Sequence, residues 1–301
     1  MTETMAKGSS RVRCGRFVGI LLFLQSLPVF AADIPALLEI PAPLAQADPS
    51  LVERRQALET ARGTLWRQVQ AHNAQCDSVE EGSAQDIACT QAQADLSASL
   101  ERHIAASKAF NQQKIKAEFA RKLQGTRDAD RYSPIDAPLP SDESDRSAYN
   151  YFNVIKQFDV VHAARYEAGA DTFCNIYVSD VTRAMNAEIP IRPANDMVIW
   201  LHTTGRQQGW HRADARLIQE MADAGHPAIV IWENTSISPD TGLPGHGHVA
   251  MVRPGSINDP RGDAISAAGR YVIDARHMTG GDKTHPRGYF NKPGVQFWYH
   301  D

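Results

Sequence analysis

Over residues 51–75 the positions Leu58, Ala61, Leu65, Val69 and His72 step by three and four, the spacing of one face of a helix. Ser50 stands where an N-cap would. A second pattern of this period begins near Cys89 with Ala92, Leu96, Leu100 and Ile104, and runs less cleanly through Ile115, Phe119 and Leu123 to a stop at Gly125. The polar stretch 77–86 separates the two. Together they predict an antiparallel, coiled-coil-like α-helical hairpin over residues 50–125. Residues 33–49, with four prolines, read as an extended lead-in, and 126–147, with Pro134, Pro138, Pro140 and a run of acidic residues, as a second linker.

From residue 148 onward the pattern is that of a globular domain ending at residue 301. Helices are expected over 149–160, 172–187, 194–201 and 214–224, the last ended by Gly225. In the 172–187 helix, Phe173, Ile176, Tyr177, Val181 and Ala184 mark the face to be buried. Thr172 is placed to cap it, which leaves Cys174 in the first turn. Pro190 and Pro193 close that unit. The period then changes. Residues 228–232 and 248–252 are short apolar runs, and further strands are expected over 264–268, 270–275 and 295–300. Helices followed by neighbouring strands predict an α+β domain with an antiparallel sheet. No internal repeat is evident.

The first 32 residues have the form of an export signal: Lys7, Arg11, Arg13 and Arg16 lead into an apolar run over 17–24, and Ala31 and Ala32 offer small residues for cleavage. The alternative is an uncleaved N-terminal anchor, although the run is short for a membrane span. Otherwise no segment is suited to cross a bilayer, so a soluble periplasmic or secreted protein is expected. The net charge of −4 and the lack of a basic tract give no footprint for nucleic acid.

Export gives the four cysteines meaning. Cleavage removes Cys14. An oxidising compartment pairs Cys76 with Cys89 across the hairpin turn, which stabilises by about 3 kcal/mol in the chain-entropy model. Cys174 is left as a thiol. The hairpin itself suits a protein partner, a membrane surface, a contact with the catalytic domain, or a role as spacer or oligomerisation element.

A lone cysteine in an apolar helix is ordinarily an inert core residue. Two features weigh against that here: a thiol left outside any disulfide in an exported chain, and the segment Gly245-His-Gly-His, which places His248 where a loop enters a strand. A thiolate is favoured at a helix N-terminus, and a histidine entering a neighbouring strand can share its proton. A zinc site from His202, His211, His226, His246 and His248 is the rival, but no carboxylate or cysteine lies at a ligand spacing and HEXXH is absent.

Three further segments complete a pattern. They are Arg165-Tyr166 with Thr172-Phe-Cys-Asn-Ile-Tyr-Val-Ser-Asp-Val-Thr-Arg-Ala-Met185, then Met221-Ala-Asp-Ala-Gly-His-Pro-Ala-Ile-Val-Ile-Trp232, then Gly247-His-Val-Ala-Met-Val-Arg-Pro-Gly255. In this order they resemble the NlpC/P60 cell-wall peptidases, within the papain-like group that includes the CHAP amidases. The likeness spans residues 154–269 and leaves the hairpin outside. It implies a papain-like domain, a cysteine helix packed on an antiparallel sheet, that cuts amide bonds in peptidoglycan stem peptides as an endopeptidase or amidase. By the same likeness Cys174 is the nucleophile, His248 the general base and later acid, and Tyr166 a support for the site. No cofactor or metal is implied. The family's third polar residue holds the imidazole tautomer. Related sequences carry Gln where this chain has Ala267, so Asp274 is expected to substitute, with Ser266 as its rival. That departure also leaves room for a non-catalytic envelope binder on the same fold. An acyltransferase or a hydrolase of non-wall amides is a third possibility. Asp180 reads as a structural carboxylate, bonded to backbone or to Arg183.

Overall fold

The computed structural model describes residues 34–301 except 161, 168–172, 238, 240–241, 243–244, 256–264, 268–269 and 274–292; for 265–267 and 270–273 it describes the backbone alone. The expected signal segment therefore lies outside the described residues. The described residues form two compact units, 34–37 with Arg55–Lys108, and Leu38–Arg54 with Ala109–Asp301.

In the first unit the described residues are largely those of two long helices, α2 (Pro49–Cys76) and α3 (Ala84–Leu123), each of which also runs into the second unit. Cys76 and Cys89 are joined by a disulfide with their Cα atoms 5.9 Å apart. Leu65 and Val69 are buried, as their spacing requires, and so are His103 and Ser107, one turn apart on α3. Pro49, not Ser50, opens α2, where a missing N–H costs nothing. α3 starts earlier than its apolar pattern suggests because Ser83 provides a cap: its Oγ accepts from the Asp86 N–H at 3.1 Å, and Asp86 accepts in turn from Gly82.

The second unit is α+β. Six strands, β1 (Trp210–Ala213), β2 (Ala228–Trp232), β3 (His248–Val252), β4 (Ile265–Ala267), β5 (Arg270–Ile273) and β6 (Val295–His300), form one antiparallel sheet in the order β1-β6-β2-β3-β5-β4. β2 and β3 lie centrally and are buried along their whole length, which explains their unbroken apolar runs. No periodic pattern marks β1 in the sequence. It is a four-residue edge strand in which Trp210 is the one fully buried residue.

The helices of this unit are α5 (Ala148–Gln157), α6 (Cys174–Ala184), α7 (Ala194–Trp200) and α8 (Leu217–Asp223), with α7 continuing into a π turn at Leu201–Gly205. Ser147 caps α5 by accepting from the Asn150 N–H. Tyr151 on its buried face places its hydroxyl 2.9 Å from the Val252 carbonyl and accepts from the Ala228 N–H at 3.1 Å. One phenol thereby fixes α5 to both β2 and the end of β3. α6 packs on β3, α7 on β2 and β3, and α8 on β2, β3 and β6.

The two expected linkers carry structure of their own. α1 (Ala42–Ala47) lies in the lead-in with Leu44 buried. The stretch 126–147 holds α4 (Asp128–Arg131) and a 3-10 turn at Glu143–Asp145, with Asp130, Ile135 and Ser141 buried. Proline content signalled breaks in helix there, but Ile135 is an apolar residue that the core takes in.

Candidate active site

α6 is buried almost all round. Phe173, Ile176, Tyr177, Val181 and Ala184 are core residues, as their spacing predicts, and Ser179, Asp180 and Thr182 are buried as well. It ends at Ala184, and just beyond it the positive φ of 54° at Asn186 lets the Ala187 N–H reach back to the Thr182 carbonyl at 2.9 Å. Its first residue is Cys174, which lies outside any disulfide and is buried. The cap position belongs to Phe173, which makes no side-chain cap bond; Thr172, expected there, lies outside the described residues. The Arg131 guanidinium sits 4.1 Å over the ring of Phe173, the residue before Cys174, and donates to the Ala164 and Glu167 carbonyls.

His248 is the first residue of β3, pairs with Trp232 of β2, and is buried. The two residues singled out from the sequence thus open two elements that pack on each other, α6 and β3.

The connection between β2 and β3 is held by two asparagines that no sequence signal links to the histidine. Asn195, in the first turn of α7, donates through Nδ2 to the Asn234 and Gly245 carbonyls, each at 3.0 Å, and accepts at Oδ1 from the Asn234 N–H at 3.0 Å. Asn234 donates to the His246 carbonyl at 3.2 Å and accepts from Ser236. The backbone passes so close to both that a Cβ on Gly245 would lie 2.2 Å from Asn234 Nδ2, and one on Gly247 would lie 2.5 Å from Asn195 Oδ1. The glycines of the Gly-His-Gly-His segment are there to admit these amides.

Tyr166 does not spend its hydroxyl on the sulfur. It donates to Asp180 Oδ2 at 2.7 Å and stacks edge-on against Tyr177. Asp180 is bonded not to Arg183, which pairs with Glu188 and Asp136, but to Arg165 through Nε at 2.7 Å and Nη2 at 3.0 Å. At Asp180 burial outweighs the bonds from Arg165 and Tyr166 and holds the carboxyl above its ordinary value, whereas at the Arg165 guanidinium the bonds to Asp180 outweigh burial and raise it. The forked geometry offers that carboxyl only donors and decides for an ion pair. Arg165 also donates to the Asp130 and Ser133 carbonyls, tying the former linker to the cysteine helix. Burial, with Asp180 beside it, pushes the Tyr166 phenol far above its ordinary value, so it stays a donor.

Asp274 lies outside the described residues. Ser266 and Ala267 lie on β4, which is separated from β3 by β5. Ser266 pairs with Tyr271, one residue beyond the Val272–Val252 pair and so at the end of β3 away from His248. Two strand spacings, about 10 Å, and more than 13 Å along the strand put its backbone out of reach of that imidazole. The strand that follows β3 in sequence is not the one that pairs with it.

The other histidines are dispersed. His202 bonds to Gln296, His211 to Asp301, and His226 lies between Arg146 and the His300 carbonyl. Among the described residues no group of three or more His, Cys, Asp or Glu converges as a metal site. A cavity of about 580 Å³, lined by Arg183, Glu188, Gln208, Trp210 and others, opens at the far end of α6, about 15 Å of helix from Cys174. Its Arg183 is held between Asp136 and Glu188, and it presents no nucleophile. Among the described residues no helix is long and apolar enough to cross a membrane. No family model, curated protein or solved structure matches this chain.

Proposed function

We propose that this chain is an exported cysteine hydrolase that cleaves amide bonds in peptidoglycan stem peptides, acting through Cys174 and His248 in an NlpC/P60-like, papain-like domain. The observation that carries the proposal is the pairing of places. A thiol outside any disulfide opens α6, an imidazole opens β3, and the two elements pack together. The start of a helix offers N–H groups without intrahelical partners, which favour a thiolate and can receive the oxyanion.

In the reaction Cys174 Sγ attacks the scissile carbonyl carbon. His248 delivers its proton to the departing amine as the C–N bond breaks, leaving a thioester. His248 then takes a proton from water, whose oxygen attacks the thioester and releases the carboxylic acid and the Cys174 thiolate, restoring the thiolate–imidazolium pair. Asp274 is the proposed partner of the imidazole. It follows Ile273, whose strand pairs directly with β3. The helical hairpin is the proposed contact for a protein partner.

Purified cell wall incubated with the mature protein is expected to release fragments, and Cys174→Ala to release none. Equal, nonzero release by both proteins eliminates the nucleophile.

A further inference from the structure

We infer that Asn195 is the positioning residue for His248, holding the entry to β3 in register so that this histidine, and not His246, opens the strand. The inference rests on the Cys–His reading above. Asn195 bridges both stems of the β2–β3 connection: Asn234 lies two residues past the end of β2 and Gly245 three before His248. Its two amide hydrogens and its oxygen are all engaged. That much bonding is called for because Gly245 and Gly247 flank His246, and glycine has no intrinsic preference that would fix the backbone there. Side chains alternate along a strand, so a slip of one residue turns the histidine to the opposite face. A slip of two restores the face but puts His246 opposite Trp232. In the native register His248 is 2% exposed and His246 lies exposed in the loop. A slip of one would bring His246 to the place of Gly247, where a Cβ lies 2.5 Å from the Asn195 oxygen, so the clamp and that glycine exclude it together. Asn195 touches neither substrate nor sulfur in this role. It acts through the backbone that carries the imidazole.

The test follows alkylation of Cys174 by iodoacetamide across the imidazole titration range, in the full chain, for wild type, His248→Ala, Asn195→Ala and Asn195→Asp. Release of fragments from purified cell wall is measured alongside. The Asp variant keeps the acceptor for the Asn234 N–H and loses both donors. Both Asn195 variants are expected to move from the wild-type pH profile toward that of His248→Ala, with release falling on the order of 10²-fold. A second measurement adds His246→Gln. It is expected to leave wild type unchanged and to remove whatever imidazole-dependent labelling Asn195→Ala retains. Wild-type profiles in both Asn195 variants overturn the inference. Loss of cooperative unfolding in both also overturns it, since Asn195 would then serve the fold at large. A wild-type profile identical to that of His248→Ala is a different failure: it removes the Cys–His reading itself.

Discussion

Arg165 and Asp180 form a fully buried, forked ion pair, 2.7 and 3.0 Å long, between the turn that precedes the cysteine helix and the middle of that helix. The guanidinium is 0% exposed and makes its remaining bonds to the Asp130 and Ser133 carbonyls. The pair therefore fixes where α6 lies, and with it where Cys174 lies, although neither partner approaches the chemistry.

Replacing Asp180 by Asn removes the countercharge and leaves a guanidinium buried without it. Breaking a buried pair from one side costs about 3–5 kcal/mol. Urea unfolding of Asp180→Asn is expected to show a loss of that size, and a change below about 1 kcal/mol would mean the pair is not what holds the helix.

Asp130 sets an acid limit. Burial raises its carboxyl, but the hydrogen bonds from Arg121 and Arg127 outweigh that and hold it below the ordinary carboxylate value. A depressed folded value means that the unfolded chain binds the proton first. The contribution is present above the unfolded value, about pH 4, and is lost as pH falls through the folded one. Asp130→Asn is expected to flatten the decline of stability below about pH 4; an unchanged slope in acid denaturation would assign that decline to other groups.

Gly247→Ala is expected to lower the melting temperature and the activity together. The new methyl would stand 2.5 Å from both Asn195 Oδ1 and the Trp232 carbonyl, and the backbone partner cannot swing aside. Overpacking of this kind costs about 1–3 kcal/mol. Thermal unfolding indistinguishable from wild type would show that the connection has slack.

The disulfide closes a short loop at the turn of the hairpin. Cys76→Ser is expected to destabilise the helical signal in urea by about 3 kcal/mol in the chain-entropy model. Equal midpoints with and without the bridge would show that the helices need no staple.

Between the candidates for the third polar residue, Asp274→Ala is expected to reduce fragment release by about 10²-fold or more, while Ser266→Ala leaves it unchanged. The reverse ranking would overturn both the role of Asp274 and the placement of Ser266 out of the imidazole's reach.

The sequence by itself determined the elements whose apolar positions recur at a clear period. The buried face of α6 from Phe173 to Ala184 and the central strands β2 and β3 follow from spacing alone, because burial of one face or of a whole run leaves a local trace. Both hairpin helices form where expected, but of the face named for them only Leu65, Val69, Phe119 and Leu123 are buried and Ala61 is exposed. It also determined which two cysteines pair and, among the described residues, which one stays a thiol, since two close neighbours flank one turn. Only the tertiary structure decided the rest. Asn195 meets Asn234 and Gly245 across 39 and 50 residues, and an amide in a loop carries no mark of the carbonyl it will find. Tyr166 binds Asp180 and not the sulfur for the same reason. β5, not β4, lies beside β3 because strand order is set by long-range pairing. Periodicity is a property of neighbours along the chain, whereas hydrogen-bond partners and sheet order belong to neighbours in space.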